Sequence, residues 1–307
     1  MIEAVLLGTG GMMPLPGRWL SSLLVRRHGE LTLFDCGEGT QIAMRIAGWG
    51  YRRLGAICLS HTHADHVAGL PGLLHAVANS GRPEPLDIYG PAGTAAVVAS
   101  LRIIASVLPF EVRVTELSGG DLISLPGGLR GRCAEGFHAL PVLAYRADLF
   151  RSRAFLPDRA AALGVPVVLW RRLQSGEGVR WETGKAEADE VLGPARRGLS
   201  IGYVTDTRPT AEIVALVKEV DLLVCEGTYG SDDDAPRALR NTHLTFREAA
   251  MLARNADVGS LWLTHFSPSL DDPEAFAANA TDVFPHTTIG NAGLTAALRF
   301  QDDALAD

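Results

Sequence analysis

Four side chains of the types that bind divalent metals lie within six consecutive residues of this sequence: His61, His63, Asp65 and His66. Only nine of the 307 residues are histidine, and three of the nine fall in this short stretch. Imidazole nitrogens and carboxylate oxygens are common ligands of zinc, so the cluster indicates a metal site. His61 and His63 are two positions apart and can point the same way from an extended segment. The chemistry such a site supports is the activation of water for hydrolysis.

The elements on either side of this cluster predict a strand-to-helix loop. The apolar run of residues 56–59 predicts a short buried strand, and residues 70–77 predict the start of a helix. Loops of this kind carry the functional side chains of α/β proteins, because the flanking elements hold them in place. One cluster of this length can serve two ions.

Two catalytic metal ions need about seven or eight protein ligands, since each ion keeps an open position for water. Three candidates adjoin apolar strand patterns elsewhere in the chain: His138, Asp206 and His265. Taken singly, each candidate is weak evidence for a ligand. An Asp after a strand is more often a turn former or a helix cap, and a lone His is more often a surface or core residue. A cluster that requires partners makes all three the candidate ligands.

The histidine cluster resembles the HxHxDH signature of the metallo-β-lactamase fold, and the sequence around it is similar to the ribonuclease Z branch of that superfamily. Members of this branch are endonucleases that trim precursor tRNA. The similar stretches extend over nearly the whole chain: residues 6–10, 33–41, 60–74, 88–91, 205–208 and 263–265. The resemblance implies an α/β fold class, the four-layer αβ/βα sandwich of the metallo-β-lactamase fold.

The resemblance also implies how the ligands divide between two zinc ions, with Asp206 bridging them. One ion takes three histidines: His61, His63 and His138. The other takes one carboxylate and two imidazoles: Asp65, His66 and His265. A ligand set without thiolates suits zinc, although manganese or iron would accept the same residues.

Two further residues match catalytic positions of the family. The resemblance implies a Glu in a strand and a His that begins a His-Ser-Thr-like motif; here they are Glu226 and His243, with Leu244 in place of the Ser. We expect phosphodiester hydrolysis, with water activated by the two ions and oriented by Asp65. A cationic His243, charged and held by Glu226, is the best proton donor for the leaving 3′ oxygen. The structural alternatives are a buried ion pair for Glu226 and a helix-cap neighbour for His243.

The composition favours a soluble enzyme with a large core, because 47% of the residues are hydrophobic. The first eight residues lack the basic start of a secretory signal peptide, and no apolar run has membrane-spanning length. The four cysteines are scattered without a CxxC pair, which favours reduced core residues over disulfides or ligands. We therefore expect a cytoplasmic protein with a single domain over residues 1–307.

Residues 146–198 break the strand pattern and predict an inserted flexible arm. This segment has a net charge of +3, whereas the remainder of the chain has a net charge of −10. A basic arm on an acidic body suits an RNA backbone, so the arm is a predicted RNA exosite. Arg171 and Arg172, with Trp170 and Trp181 nearby, combine guanidinium and aromatic planes suited to phosphates and bases. An ordinary solvated insertion is the alternative.

Two departures from the family pattern bear on the substrate. Ribonuclease Z enzymes of this length usually carry a Pro-x-Lys-x-Arg-Asn loop, whereas residues 14–19 retain Arg18, a candidate substrate contact, without the Lys and the Asn. The Gly-Pro pair of the family exosite is interrupted within residues 163–170. We expect precursor tRNA or another phosphodiester as substrate, and the resemblance implies a homodimer. The alternatives are a hydrolase of small phosphodiesters, cyclic nucleotides or sulfate esters on the same fold, and an RNA-binding protein with structural metals.

Overall fold

The computed structural model describes residues 1–300 of the protein, and two seven-stranded sheets form its centre. The strands of the first sheet are β1 (Ile2–Gly8), β2 (Ser22–Arg27), β3 (Glu30–Phe34), β4 (Leu54–Cys58), β5 (Leu86–Gly90), β6 (Val112–Glu116) and β16 (Thr295–Leu298). Their order is β16-β1-β2-β3-β4-β5-β6. The pairs from β16 to β3 are antiparallel, and those from β3 to β6 are parallel.

The second sheet repeats this mixture of strand directions. Its strands are β7 (Leu122–Leu125), β8 (Leu129–Glu135), β9 (Leu143–Arg151), β12 (Arg196–Val204), β13 (Leu222–Glu226), β14 (Leu261–Thr264) and β15 (Thr287–Ile289), in the order β15-β14-β13-β12-β9-β8-β7. The strands β7, β8 and β9 are antiparallel, and β12 to β15 are parallel. The parallel part brings the carboxyl ends of several strands to one edge of the sheet.

Within the described residues, the α-helices are α1 (Thr40–Ala47), α2 (Ala64–Val67), α3 (Leu70–Asn79), α4 (Thr94–Leu101), α5 (Pro157–Ala162), α6 (Trp170–Gln174), α7 (Ala188–Val191), α8 (Ala211–Leu216), α9 (Ala235–Asn241), α10 (Phe246–Asn255) and α11 (Ala278–Thr281). Short 3-10 helices occupy Arg102–Ala105, Pro126–Gly128, Val167–Leu169, Asp232–Asp234 and Pro273–Phe276. The predicted helix after the histidine cluster is α3. Within residues 1–300, no helix is long and apolar enough to cross a membrane.

Alternating side chains along the strands produce a layered core. In β1, Ala4 and Leu6 lie in the core between the two sheets. Val5 and Leu7 point the opposite way, into the core between the first sheet and its helices. In β14, Trp262 faces the other sheet, and its neighbours in the strand face the helices of the second half. The layers are therefore helix, sheet, sheet and helix, which confirms the predicted fold.

Residues Phe150–Gly198 form a separate compact unit, which we call the arm. The unit contains α5 to α7 and a hairpin of β10 (Val179–Trp181) and β11 (Gly184–Ala186), and its own buried core includes Ala160, Leu173 and Val191. The sequence pattern predicts an arm that starts at residue 146 and has irregular structure. Residues 146–149 instead continue β9, where Ala147 and Leu149 are buried between the sheets.

Candidate metal centre

A single connection in the first half of the fold supplies four candidate ligands. After β4 the chain passes through His61 and His63 into α2, whose single turn carries Asp65 and His66. The backbone N–H of Cys36, just after β3, donates to the carbonyl of His66 at 2.8 Å. The connection is thereby held against the first sheet, and its four side chains are positioned by local structure.

The second half supplies its candidates one at a time, from the ends of different strands. Asp206 follows β12, Glu226 is the last residue of β13, and His265 follows β14. Because these three strands are parallel neighbours, their ends meet at one edge of the sheet. His138 follows β8 in the same sheet.

The structure brings the seven predicted ligands together in two clusters. In the first, His63 Nδ1 lies 2.8 Å from His61 Nε2 and 3.3 Å from His138 Nε2. Asp206 Oδ1 lies 3.9 Å from the Nε2 atoms of both His61 and His138. Four ligand atoms therefore surround one small volume.

The second cluster lies on the other side of the same aspartate. The Nε2 atoms of His66 and His265 are 3.3 Å apart, and Asp206 Oδ2 lies 3.2 Å from each. Asp65 Oδ2 lies 3.5 Å from the Nε2 of His66 and 3.4 Å from that of His265. Because the two oxygens of Asp206 face different clusters, this carboxylate has the geometry of a bridging ligand.

These residues fit divalent metal ions. Two nitrogens bound about 2.0–2.1 Å from a tetrahedral zinc ion lie roughly 3.3 Å apart. This is the separation of His63 from His138 in one cluster and of His66 from His265 in the other. The donor set of nitrogen and carboxylate oxygen is one that zinc, manganese and iron all accept.

Each of four histidines has a polar partner on the ring nitrogen that faces away from the cluster. Three partners are hydroxyls: Ser60 Oγ at 3.0 Å from His61 Nδ1, Thr242 Oγ1 at 2.7 Å from His138 Nδ1, and Thr228 Oγ1 at 3.1 Å from His265 Nδ1. The fourth is Asp35 Oδ2, at 2.7 Å from His66 Nδ1. Such outer partners orient a ligating imidazole and fix its tautomer.

Asp35 is a site residue that the sequence analysis did not single out. Its buried carboxylate accepts from the backbone N–H of Ser60 at 2.7 Å, the Ser60 hydroxyl at 2.8 Å and the Tyr203 hydroxyl at 2.9 Å, in addition to its contact with His66. A signal was present, because Asp35 directly follows the apolar end of β3, just as Asp206 follows β12. The same rule of a carboxylate at a strand end identifies both.

Three residues of the candidate metal centre have a left-handed backbone: φ is 58° at Asp35, 49° at Asp206 and 59° at His265. This conformation is uncommon for residues other than glycine and persists where the surrounding structure enforces it. Each follows a strand, and the turn of the backbone directs the side chain from the sheet edge toward the clusters. Sequence periodicity carries no information on such turns.

The charges of the two clusters suit cation binding. Burial, aided by the neighbouring His66 charge, holds the pKa of His61 well below its usual value, so its lone pair is free. Burial alone would raise the pKa of Asp206, but the charges of His265 and His66 hold it well below its usual value. Burial opposes a charge on His66, yet Asp206 and Asp35 raise its pKa, so metal binding there displaces a proton.

Glu226 and His243 form a buried pair beside the clusters. His243 Nδ1 lies 3.1 Å from Glu226 Oε2 and 3.7 Å from Asp206 Oδ1. Glu226 is held in turn by the backbone N–H of Thr207 at 2.7 Å and the Thr228 hydroxyl at 2.6 Å. Burial alone would lower the pKa of His243, but Glu226 raises it to about 9. The imidazole is therefore cationic at neutral pH.

The predicted substrate contacts lie in two different parts of the chain. Arg18 uses its guanidinium to donate to the backbone carbonyls of Leu270 at 2.8 Å and Asp271 at 3.0 Å, so it fastens two loops of the body together. Arg171 and Arg172 are exposed on α6 in the arm, and Arg172 pairs with Glu177. Among the described residues, the guanidinium of Arg171 has no hydrogen-bond or ion-pair partner.

The two tryptophans named with these arginines pack against the core of the arm. The Trp170 ring packs against Phe155 with centroids 5.3 Å apart, and its Nε1 donates to the Val165 carbonyl. Trp181 also packs against the core of the arm. Both rings are half-buried and therefore contribute to the small core of the arm.

The fold and the clusters define a metal-dependent hydrolase of the metallo-β-lactamase superfamily. The model of the metallo-beta-lactamase superfamily matches residues 20–139, and that of the beta-lactamase superfamily domain matches residues 172–266. Among solved structures, human tRNase Z (short form) has a TM-score of 0.70 at 23% identity, covering 97% of this chain and 100% of that one. The protein YhfI of Bacillus subtilis has a TM-score of 0.71 at 18% identity, with coverage of 97% and 100%. These two likenesses show the fold.

Relatives of higher identity show the family. Ribonuclease Z of Lachnospira eligens is 44% identical over 303 residues, covering 99% of this chain and 100% of that protein. Ribonuclease Z of Clostridium kluyveri is 43% identical over 303 residues, covering 98% and 100%. The chain belongs to the ribonuclease Z family, as its sequence motifs indicated.

Proposed function

We propose that this protein is a zinc-dependent endoribonuclease that removes the 3′ trailer of precursor tRNA. The observation that carries the proposal is the Glu226–His243 pair beside two clusters bridged by Asp206. His61, His63 and His138 would hold one ion, and Asp65, His66 and His265 the other. Bound ions supply Lewis acidity for phosphate oxygens and lower the pKa of a shared water.

The leaving 3′ oxygen needs a proton, and His243 is the proposed donor. Its Nδ1–H donates to Glu226, so the proton on Nε2 is the one available for transfer. Among the described residues, Nε2 has no hydrogen-bond partner. A metal site of purely structural purpose has no use for a buried, cationic imidazole at its edge, which argues against an RNA-binding protein with structural metals.

Asp65 has a second task beside its cluster. Its Oδ2 accepts from the backbone N–H of Met12 at 2.6 Å and faces both His66 and His265. Hydrogen bonds to these imidazoles outweigh burial and lower the pKa of Asp65, so the group stays a carboxylate. It can therefore accept a hydrogen bond from the attacking water and orient it.

The arm is the proposed RNA exosite. Its net charge of +3 over residues 146–198 contrasts with the acidic body. Arg171 offers an exposed guanidinium, and Val167 and Val168 are exposed nearby in sequence at 70% and 85%. A phosphate backbone and an apolar nucleotide face would find both kinds of contact there.

We propose that the protein forms a homodimer through the helical layer of the first half. Helix α1 exposes Ile42 and Ile46, and the segment just after α4 exposes Ile103, Ile104 and Val107. Both elements pack on α3, and their exposed apolar side chains form the proposed contact surface. The paired substitution I46D/I104D should give a monomer by light scattering, while L122D, at an exposed leucine in β7, should leave a dimer. A monomeric native protein would refute the proposal.

The cytoplasm is the proposed location, which four free, buried cysteines support, because reduced thiols are typical of that compartment. Hydrolysis of a small phosphodiester is the second candidate activity. It is favoured by Arg18, whose guanidinium is already bonded to two carbonyls and is less free to hold a tRNA end.

One experiment separates the two candidates. The zinc-loaded protein is incubated with an unmodified precursor tRNA and, separately, with bis(p-nitrophenyl) phosphate, and the RNA products are mapped to the nucleotide. We expect a single cut directly after the discriminator base, abolished by a chelator and restored by zinc. Turnover of the small diester without any cut in the RNA would overturn the tRNA assignment and favour the second candidate.

A further inference from the structure

Thr242 has a backbone conformation that its residue type disfavours. It ends α9 with φ 59° and ψ 40°, in the left-handed region. Of the non-glycine residues with positive φ in residues 1–300, it is the one that is branched at Cβ, which makes it a genuine outlier. Glycine is the preferred residue at this position of a helix end. Because threonine stands at this position instead of glycine, we ask what its hydroxyl contributes.

The backbone of Thr242 places the proposed proton donor. The N–H of His243 donates to the Ala238 carbonyl at 2.9 Å, and the N–H of Thr242 donates to the Leu239 carbonyl at 3.3 Å. This pair of bonds is the Schellman arrangement that terminates a helix through a left-handed residue. The turn directs the chain so that the His243 side chain reaches Glu226.

The hydroxyl of Thr242 places a metal ligand. Its Oγ1 lies 2.6 Å from the Asn241 carbonyl, to which it donates its only proton. At 2.7 Å from His138 Nδ1, the same oxygen therefore accepts the ring N–H. The proton is held on Nδ1, and the lone pair on Nε2 faces the first cluster, 3.3 Å from His63 Nδ1.

We propose that Thr242 is a positioning residue that couples the first metal cluster to the proton donor. Its hydroxyl orients His138, its backbone orients His243, and the two rings lie 5.3 Å apart between centroids. The inference rests on the proposed metal centre and proton donor, and it does not depend on which RNA is cut. A purely structural helix end would gain from glycine, whereas a positioning role loses from it.

The test compares three substitutions of Thr242 with one control, using apo-protein titrated with zinc against a chromophoric chelator. T242G relieves the backbone and removes the hydroxyl, T242V removes the hydroxyl alone, and T242S keeps it. We expect T242G and T242V to weaken one of two zinc sites by about 10- to 100-fold and T242S to rescue binding. The melting temperature of apo-T242G should rise by about 2–4 °C, because strain is relieved. The control T210V removes the cap of α8, so its melting temperature should fall with zinc affinity unchanged.

Wild-type zinc affinity at both sites in T242G and T242V would overturn the proposal. T242G keeps the test valid if T242V does not fold, since it relieves strain rather than adding it. A wild-type protein that binds two zinc ions but cuts no precursor tRNA would refute the proposed substrate and leave this titration interpretable.

Discussion

The two halves of the molecule supply the metal centre in opposite ways. The first half delivers four candidate ligands from one connection, in the order His61, His63, Asp65 and His66. The second half delivers His138, Asp206 and His265 singly, each from a different strand end. The first set depends on local structure, and the second depends on correct assembly of the second sheet, because its residues follow β8, β12 and β14. The first half therefore supplies its candidate ligands from one short sequence motif, and the second half supplies them from strands that the fold brings together.

The difference extends to the backbone. Asp65 and His66 lie in the regular turn of α2. Asp206 and His265 each follow a strand and have a left-handed backbone themselves. A motif can be presented without strain, while single ligands at strand ends have to be turned toward the site. Among the seven candidate ligands, both left-handed residues therefore lie in the second half, while the first half contributes Asp35, the left-handed partner of His66.

We expect the largest effect from substitution of Asp206, the candidate ligand that faces both clusters. We expect D206A to lose both metals and to lower kcat/KM for precursor tRNA by at least about 10⁴-fold, because each cluster loses a ligand at once. Metal content by atomic spectroscopy and cleavage rates measure this. The matched control is D257A, which removes an exposed aspartate that is also left-handed, with φ 51°. Equal losses in the two variants would contradict a bridging role for Asp206.

The next effect separates proton donation from metal binding. H243A should lower kcat for precursor tRNA by about 10²- to 10⁴-fold, with both metals retained. The same variant should hydrolyse bis(p-nitrophenyl) phosphate at close to the native rate, because nitrophenolate leaves without a proton. E226Q should act in the same direction, since His243 loses the charge that raises its pKa. A large loss on both substrates would show that His243 serves the metals instead.

We expect a smaller effect from substitution of Asp35, which lies in the first half. We expect D35N to weaken one zinc site by about 10- to 100-fold, because His66 loses its anionic partner. Y203F removes one of the hydrogen bonds to Asp35 and leaves the carboxylate, so its loss should be smaller. Zinc titration of the apo-proteins gives both values. An equal loss in the two variants would mean that Asp35 acts through the packing of the core and not through His66.

We expect the smallest effect from the ion pair between Glu3 and Arg26, which lies outside the metal centre. Glu3 on β1 accepts two hydrogen bonds from Arg26 on β2, at 2.7 and 2.8 Å. The hydrogen bond from Arg26 lowers the pKa of Glu3, so the pair stabilises the fold at neutral pH and this contribution is lost as pH falls through the lowered pKa. E3Q should reduce the free energy of unfolding by less than about 1 kcal/mol at pH 7. Urea unfolding at decreasing pH should show the difference from wild type shrinking.

Much of the fold and of the candidate site was predictable from sequence, for reasons that follow the two halves. His61 to His66 were recognisable from spacing alone, because local ligands leave a local pattern. His138, Asp206 and His265 were suggested by the strands next to them, but their division between two ions came from the family resemblance. The structure brings the seven side chains together, and metal binding by each of them remains a prediction.

The parts that escaped prediction depend on tertiary contacts. Asp35 and Thr242 act through hydrogen bonds to residues distant in sequence, and no periodicity marks a left-handed turn. The predicted arm begins at residue 146, where charged residues interrupt the apolar pattern, whereas the alternation of Tyr145, Ala147 and Leu149 continues β9 past that point. The packing of Trp170 against the arm core likewise depends on tertiary contacts that the sequence pattern does not mark.

That separate core of the arm also bears on how the family can diversify. The arm residues proposed to contact RNA lie on a unit whose core includes Ala160 and Leu173, while the proposed catalytic residues lie on the layers of the main sandwich. A substitution that alters the grip on a substrate therefore need not pass through the packing that supports catalysis. Substitutions in the arm core are therefore expected to change substrate binding with the chemical step on a small diester left intact.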